Sequence, residues 1–528
     1  MRRVPAATAI YTALVLSACN GDPVSGPTME EGDRVAVLSA LGNPDLWVGP
    51  GGDDTNPGTR ESPFRTIQGA IDAAPEGSTT RIKVMGGLYF ENLTLRSNVS
   101  IQGGLRKNTG EWYRSRLRKD TTIVGAPGQP AVLGMGVTNV RLKDLVIRSG
   151  DATLGSNTQP AGSYTGSSSI AIHLQDSRKV TISSSDIRAG DGLDGGGGQA
   201  GTKGADGLNG GEGAPGGPAD WVVMTALLAA TEESDLIELW GWLKTGDGGY
   251  GAEKHLGLGT VGDGGDGGCG IDLSFAARPG EAGHTGGGFF SPLAVGGNGG
   301  VGLGSSGSSG QEGLDGPLSG SDGPAGGGFG TILEGRYLPP AGGPGTPGDH
   351  GNNGGGGGGG AAPAPLTCGS GGGGGGSGGK GGEGGAGGEG GGASIAVLLT
   401  QNSEVLLERN RLRTGNGGDG GAGGAGGRGG DHGLGGRGGI TNRSDPEHTT
   451  CIAPFGDWVP EVGCGAAGGD GGDGAPGGQG GRGGGGPSVG IARDATSTAT
   501  LQENSFDLGE PGNGGDGTPG GSATQIPL

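Results

Sequence analysis

Apolar residues recur in this chain as a fixed triplet. Val180, Ile182 and Ile187 precede Gly190; Val405, Leu407 and Leu412 precede Gly415; Ala499, Leu501 and Phe506 precede Gly509. An earlier copy is Val140, Leu142, Ile147 and Gly150. The three later copies extend upstream without a gap, so that residues 169–190, 394–415 and 488–509 recur as blocks. Self-similarity of this kind marks a repeat architecture. Short apolar-alternating runs precede the blocks at Ile82–Val84, Leu93–Leu95, Val99–Ile101, Thr121–Val124 and Ala131–Leu133, separated by turn residues such as Gly86-Gly87 and Gly103-Gly104. Strands this short stack well when the chain winds as a coil. Each then pairs in parallel with its equivalents in the turns above and below, and the inward residues form a continuous apolar file. Asn410 and Asn504 stand at equivalent places beside Ser185, where asparagine suits a tight bend and bonds its copies in neighbouring turns.

One short helix is expected near the start. Ser62 is a natural N-cap with Pro63 at the first helical position, and Ile67, Ala70, Ile71 and Ala74 form one apolar stripe. A helix over 63–74 would cover an open end of the stack. A second helical pattern spans 218–244, with Val222, Ala226, Ala229 and Ala230 on one stripe.

Glycine changes the picture between the blocks, since 142 of the 528 residues are Gly and only 30% are hydrophobic. Residues 191–392 and 416–486 follow a three-residue period. From Asn416 through Asp419, Ala422, Ala425, Arg428, Asp431, Leu434 and Arg437, the two intervening residues are nearly always Gly, His432 being the break. A period of three suits a left-handed extended helix with three residues per turn. Gly-Gly-x then leaves two edges bare, so that such helices lie side by side and exchange backbone hydrogen bonds, as in polyglycine II. Collagen is the rival where Gly occupies every third place, at 195–216 and 342–354, and flexible disorder is a third reading.

The N-terminus supplies an address. Arg2 and Arg3 precede a short apolar run, Ala6 to Leu16, closed by Leu16-Ser-Ala-Cys19. These four residues resemble the lipobox of bacterial lipoproteins, which implies lipidation of Cys19, an anchor in a membrane, and export to the outer membrane or cell surface. Export places Cys269, Cys368, Cys451 and Cys464 in an oxidising compartment. Pairing of Cys451 with Cys464 and Cys269 with Cys368 is expected. The division of the chain is then a signal peptide over 1–19, a tether over 20–45, coil over 46–190, 393–415 and 487–509, glycine-rich insertions over 191–392 and 416–486, and a tail over 510–528. The net charge of −20 disfavours nucleic acid as a partner.

Candidate chemistry is thin. Asp176, Asp186, Asp191 and Asp194 are the carboxylates nearest to a cluster, but Gln401 and Arg411, then Ala495 and Ser505, replace the first two in later blocks, so no acidic ladder forms. Asp53-Asp54 and the Gly-Asp run at 262–268 are weak candidates for calcium; no other cofactor is expected. Trp47 to Ala74 resembles the opening of uncharacterised bacterial members of the pectin-lyase-like superfamily, V-x-P-x-G-D-D-x-N-P-G-T followed by SP-F-x-T-I-x-x-A-I. The resemblance implies an all-β fold, a right-handed parallel β-helix, and is nearly silent about activity. The expectation from sequence is a lipid-anchored surface protein with a structural or adhesive role toward glycans, matrix or other cells, leaning away from enzymatic activity. The alternative is a polysaccharide lyase or glycosidase acting on acidic glycans.

Overall fold

The computed structural model describes residues 45–108, 111–115, 120–153, 168–218, 262–270, 279–287, 294–301, 305–333, 335–362, 367–440, 463–517 and 519–528. Cys19, the tether before residue 45, Cys451 and nearly all of the 218–244 helical pattern lie outside the described residues.

Three parallel sheets stack turn upon turn. The first takes Asp45–Val48, Thr80–Met85, Val99–Asn108, Thr138–Lys143, Arg178–Ser183, Glu404–Glu408 and Thr498–Gln502, in that spatial order. The second runs Gly87–Phe90, Thr121–Val124, Val146–Arg148, Asp186–Arg188, Arg411–Arg413 and Ser505–Asp507. The third runs Leu93–Thr94, Val132–Met135, Ser169–Gln175, Ser394–Thr400, Ser488–Arg493 and Ser522–Pro527. From Thr80–Met85 onward each turn of the coil contributes one strand to each sheet, a topology consistent with a right-handed β-helix.

Register places the repeated triplets in columns. Ile182 pairs with Leu142 on one side and Leu407 on the other, and Leu407 pairs in turn with Leu501. Ile187 likewise lies between Ile147 and Leu412, which pairs with Phe506. Leu142, Ile182 and Leu407 are at most 1% exposed, and burying each such side chain contributes about 1.5–3 kcal/mol. Leu501, at 38% exposed, marks the far end of the column.

The bend between the first and second sheets takes two residues in each of the last four turns. Its left-handed residue is Asp144, Ser184, Arg409 or Glu503, with φ between 52° and 54°, one place before the position expected from the asparagines. The asparagines close the bend instead. Asn410 Oδ1 accepts from Ser185 N, its Nδ2 donates to Ile182 O, and its own N donates to Asn504 Oδ1.

The helix near the start is shorter than its apolar stripe predicts. It spans Ile67–Asp72, with Thr66 rather than Ser62 at the N-cap and Ile67, Ala70 and Ile71 buried in the core. The reason lies in two carboxylates that take over the first-turn donors. Asp54 Oδ1 accepts from Arg65 N and Thr66 N, and Glu91 accepts from Ile67 N and Gln68 N. These bonds hold Ser62 and Pro63 outside the helix.

All the long excursions leave between a second-sheet strand and the next third-sheet strand. Their glycine-rich runs lie side by side as rods, joined by backbone hydrogen bonds at every third residue. Gly192, Gly195, Gly198 and Gly201 donate to the carbonyls of Asn416, Asp419, Ala422 and Ala425 at 2.7–2.8 Å. The rod over 369–392 is surrounded: its amides reach Gly265, Gly211 and Ala466, each in a different rod. Composition follows position. Unbroken glycine at 354–360 and 371–376 is buried throughout, Gly-Gly-x at 416–437 presents one exposed edge, and Gly-x-x at 195–216 presents two. A Cβ on Gly376 would stand 1.9 Å from Gly433 O. A collagen-like assembly needs only one Gly in three, so the fully glycine stretches would be unexplained by it.

Candidate functional site

The outer face of the third sheet is where the coil departs from a plain stack. Its file of outward residues is apolar, with Ile170, Ile395 and Val489 in register and buried. A two-stranded hairpin, Thr331–Leu333 with Arg336–Leu338, loops out of the glycine lattice and packs on that face. Tyr337 is its anchor, buried among Ile170, Ile395 and Leu398, with its hydroxyl donating to Phe329 O at 2.8 Å. That burial pushes the phenol far above its ordinary range. Gly335 adopts φ 78° at the turn, with Gln175 directly opposite.

Between hairpin and sheet lies a groove of about 490 Å³. Leu133, Met135, His173 and Gln175 form its sheet side, Asn92 and Thr94 one wall, and Gly335 and Arg336 the other. His173 stands in an outward slot that Leu398 and Leu133 occupy in the adjacent turns. Its Nε2 lies 3.2 Å from Thr400 Oγ1, and burial pulls its pKa down to about 4, so the ring is neutral at physiological pH. Gln175 Nε2 donates to Gln401 Oε1 at 2.9 Å. Among the described residues the groove's lining carries one guanidinium, that of Arg336, and no carboxylate.

The four aspartates singled out from sequence do not line this groove. Asp176 is exposed at the corner between the third and first sheets, with φ 47°. Asp186 is buried on the second sheet, its carboxylate held by Arg188 at 2.8 Å and facing Arg413 at 3.6 Å. Asp191 and Asp194 stand in the glycine lattice, where their Oδ1 atoms accept from Asn416 N and Asp419 N, both at 2.7 Å. Asn416 and Asp419 repeat the service for Glu510 and Asn513. An edge rod cannot offer a carbonyl to every outward N–H, and these side chains fill that place.

Asp54 serves the helix start, and Asp53 Oδ1 accepts from Thr55 N and Oγ1. Among the described residues no group of three or more His, Cys, Asp or Glu is arranged to hold a metal. Cys464 is disulfide-bonded, and Cys269 and Cys368 are direct backbone partners across two antiparallel strands.

Charge is unevenly divided. Residues 46–190 hold 17 Lys and Arg against 12 Asp and Glu, a net +5, in a chain whose total is −20. Sequence reasoning missed this asymmetry along with His173, Gln175 and Arg336. A polar residue in an otherwise apolar outward file was the available signal for His173.

No protein-family model matches the chain, and no curated protein matches its sequence. Solved structures give a distant structural similarity to the pectin lyase and pectin methylesterase fold family. One is the pectin methylesterase of Erwinia chrysanthemi, 16% identical over 28% of this chain and 46% of that one, with a TM-score of 0.20. Another is a pectin methylesterase in complex with a hexasaccharide, 18% identical over 28% and 46%, with a TM-score of 0.19. A third, from Aspergillus niger, is 16% identical over 28% and 50%, with a TM-score of 0.17. The chain thus spans about half the length of the structures it matches. One expectation from sequence is corrected: the leaning away from an enzyme is withdrawn, because the structures found similar are those of proteins named as enzymes.

Proposed function

We propose that this is an exported carbohydrate-active protein whose third-sheet groove holds an extended acidic glycan. The observation that carries the reading is the groove itself, a cleft of about 490 Å³ walled by the hairpin, whose described lining brings Arg336 and His173 together on a chain of net charge −20. A hydrolytic pair needs two carboxylates flanking the bond, and the described lining offers a guanidinium and an imidazole instead, a set suited to elimination next to a uronate. Arg336 would neutralise the uronate carboxylate, lowering the cost of charge developing at the adjacent carbon. His173, held neutral, would accept the proton from that carbon; the electron pair forms the C4=C5 double bond as the bond from C4 to the glycosidic oxygen breaks, and the departing sugar oxygen takes a proton from solvent.

The finer architecture in this reading is a right-handed parallel β-helix of the pectin-lyase-like kind, closed at its start by the 67–72 helix, with polyglycine-II-like lobes. The lobes' part is to carry the hairpin that walls the groove. Lipidation at Cys19, an outer-membrane or surface position, and the pairs Cys269–Cys368 and Cys451–Cys464 complete it.

Incubating the protein with polygalacturonate, pectin and alginate, with and without calcium, tests the reading. Unsaturated ends absorbing in the ultraviolet are expected, with a rate lowered about 10²–10⁴-fold in His173→Ala. Reducing ends without unsaturation would replace elimination by hydrolysis. Neither product, together with no binding of any of these glycans, would sink the proposal.

A further inference from the structure

The outer face of the first sheet carries a basic patch that the groove does not use. Arg81 and Lys83 stand on one turn, Arg141 and Lys143 two turns further on, and Arg178 and Lys179 on the turn after that. Register aligns the first two pairs. Arg141 and Lys143 lie between Ser100 and Gln102 on one side and Thr181 and Ser183 on the other, whereas Arg178 pairs with Thr138 at the start of its strand. Arg81 and Lys83 pair with the same Ser100 and Gln102 from above. Arg81 and Lys83 are tied to Asp45 at 2.7 and 2.9 Å. Arg141, Arg178 and Lys179 are exposed and Lys143 half-buried. Among the described residues none of these four enters an ion pair. One turn later the sign reverses, with Glu404 and Glu408 on the same face, so the patch has a definite end.

We propose that this face is a second binding surface, for a polyanionic glycan lying along the coil axis. Three features favour that occupant. Neighbouring strands are spaced about 4.8 Å apart, a repeat close to that of a pyranose chain, so successive sugars meet successive turns. Between the cations stand Ser100, Gln102 and Thr181, which offer hydroxyl and amide groups to sugar hydroxyls. The remainder of the chain is strongly acidic, so an anionic polymer is repelled elsewhere and directed to the coil. A surface of this kind would hold a long polymer while a distinct segment occupies the groove.

The test uses the full-length protein carrying His173→Ala and Arg336→Ala, so that the groove does not contribute. Binding to polygalacturonate is measured across a salt series, with neutral dextran and a DNA duplex alongside. Polygalacturonate is expected to bind with an affinity that falls as salt rises, dextran not to bind, and DNA to bind more weakly. Adding Arg141→Ser and Lys143→Ser should weaken binding about tenfold or more and flatten the salt dependence, with the melting temperature nearly unchanged because neither side chain is in the core or, among the described residues, in an ion pair. Unaltered affinity in that variant overturns the proposal, as does absence of binding at low salt. Equal binding of DNA overturns the glycan assignment. A salt-sensitive dimer abolished by the same substitutions would make a second copy the occupant, and overturns it too. Failure of the groove reading alone leaves these measurements unaffected.

Discussion

Asn410 joins three strands from a site only 2% exposed, accepting from Ser185 N and donating to Ile182 O and Asn504 Oδ1. Replacing it by alanine leaves Ser185 N and Ile182 O without partners in a dry corner. Loss of about 2–4 kcal/mol is expected in chemical denaturation, since a buried unpaired group costs about 1–3 kcal/mol each. Glycine in the lattice makes a sharper demand. Gly376→Ala drives a methyl into Gly433 O, and backbone in a packed rod cannot turn aside as a side chain can. A loss of at least about 3 kcal/mol is expected in a thermal melt. Gly327→Ala, with open space around it, should be silent in the same measurement.

At the scale of elements, the hairpin over 331–338 is the piece on which the groove depends. Its strands are three residues each, too short to be stable alone, so Tyr337 in its apolar socket holds it down. Tyr337→Ala should loosen the wall and raise KM for glycan more than it lowers kcat, whereas Arg336→Ala should affect both. The third-sheet strand opposite contributes a pH dependence through His173. Its folded pKa, about 4, lies below the ordinary histidine value of 6.5, so the unfolded chain binds the proton first. Stability from this group is complete above about pH 6.5 and declines as pH falls toward 4. The proposed proton transfer runs in the same direction, with turnover flat above about pH 5 and falling as the ring protonates. His173→Leu, matching the leucine of the next turn, should remove the stability change between those values while lowering turnover as far as His173→Ala does.

Over the whole molecule, two unlike materials share one chain. The coil is held by apolar columns, whereas the lattice has almost no side chains to bury and is held by amide-to-carbonyl bonds between rods. Its order costs more backbone entropy per residue than any other composition would, and it is sustained because interior rods satisfy their polar groups on several sides at once. Hydrogen exchange should reveal this directly. Glycine amides over 371–390, though in neither helix nor strand, are expected to exchange as slowly as those of the central coil strands, while Gly327 and Gly328 exchange freely. Rapid exchange throughout 371–390 would mean that the rods do not hold together in solution.

The amino-acid sequence alone determined what is periodic. Triplets at a fixed spacing set which side chains face inward, so the column through Ile182, Leu407 and Leu501 was legible before any fold was known. The number of glycines per triplet likewise encodes how many edges of a rod meet another rod, though that rule becomes readable only once the neighbours are seen. Tertiary structure decided whatever depends on segments far apart in the chain. The hairpin reaches the third sheet from inside a long insertion, and nothing local in Arg336 or His173 announces that they will face the same cleft. The same holds for charge, because a chain acidic overall sets several cations on one sheet face, and a whole-chain sum erases that division. Asp191 and Asp194 looked like candidates for chemistry because their residue type was visible; the backbone N–H groups that they serve belong to rods more than two hundred residues away. Periodicity is local and survives in one dimension, whereas a groove, a patch or a hydrogen-bond partner exists only where the chain returns to itself.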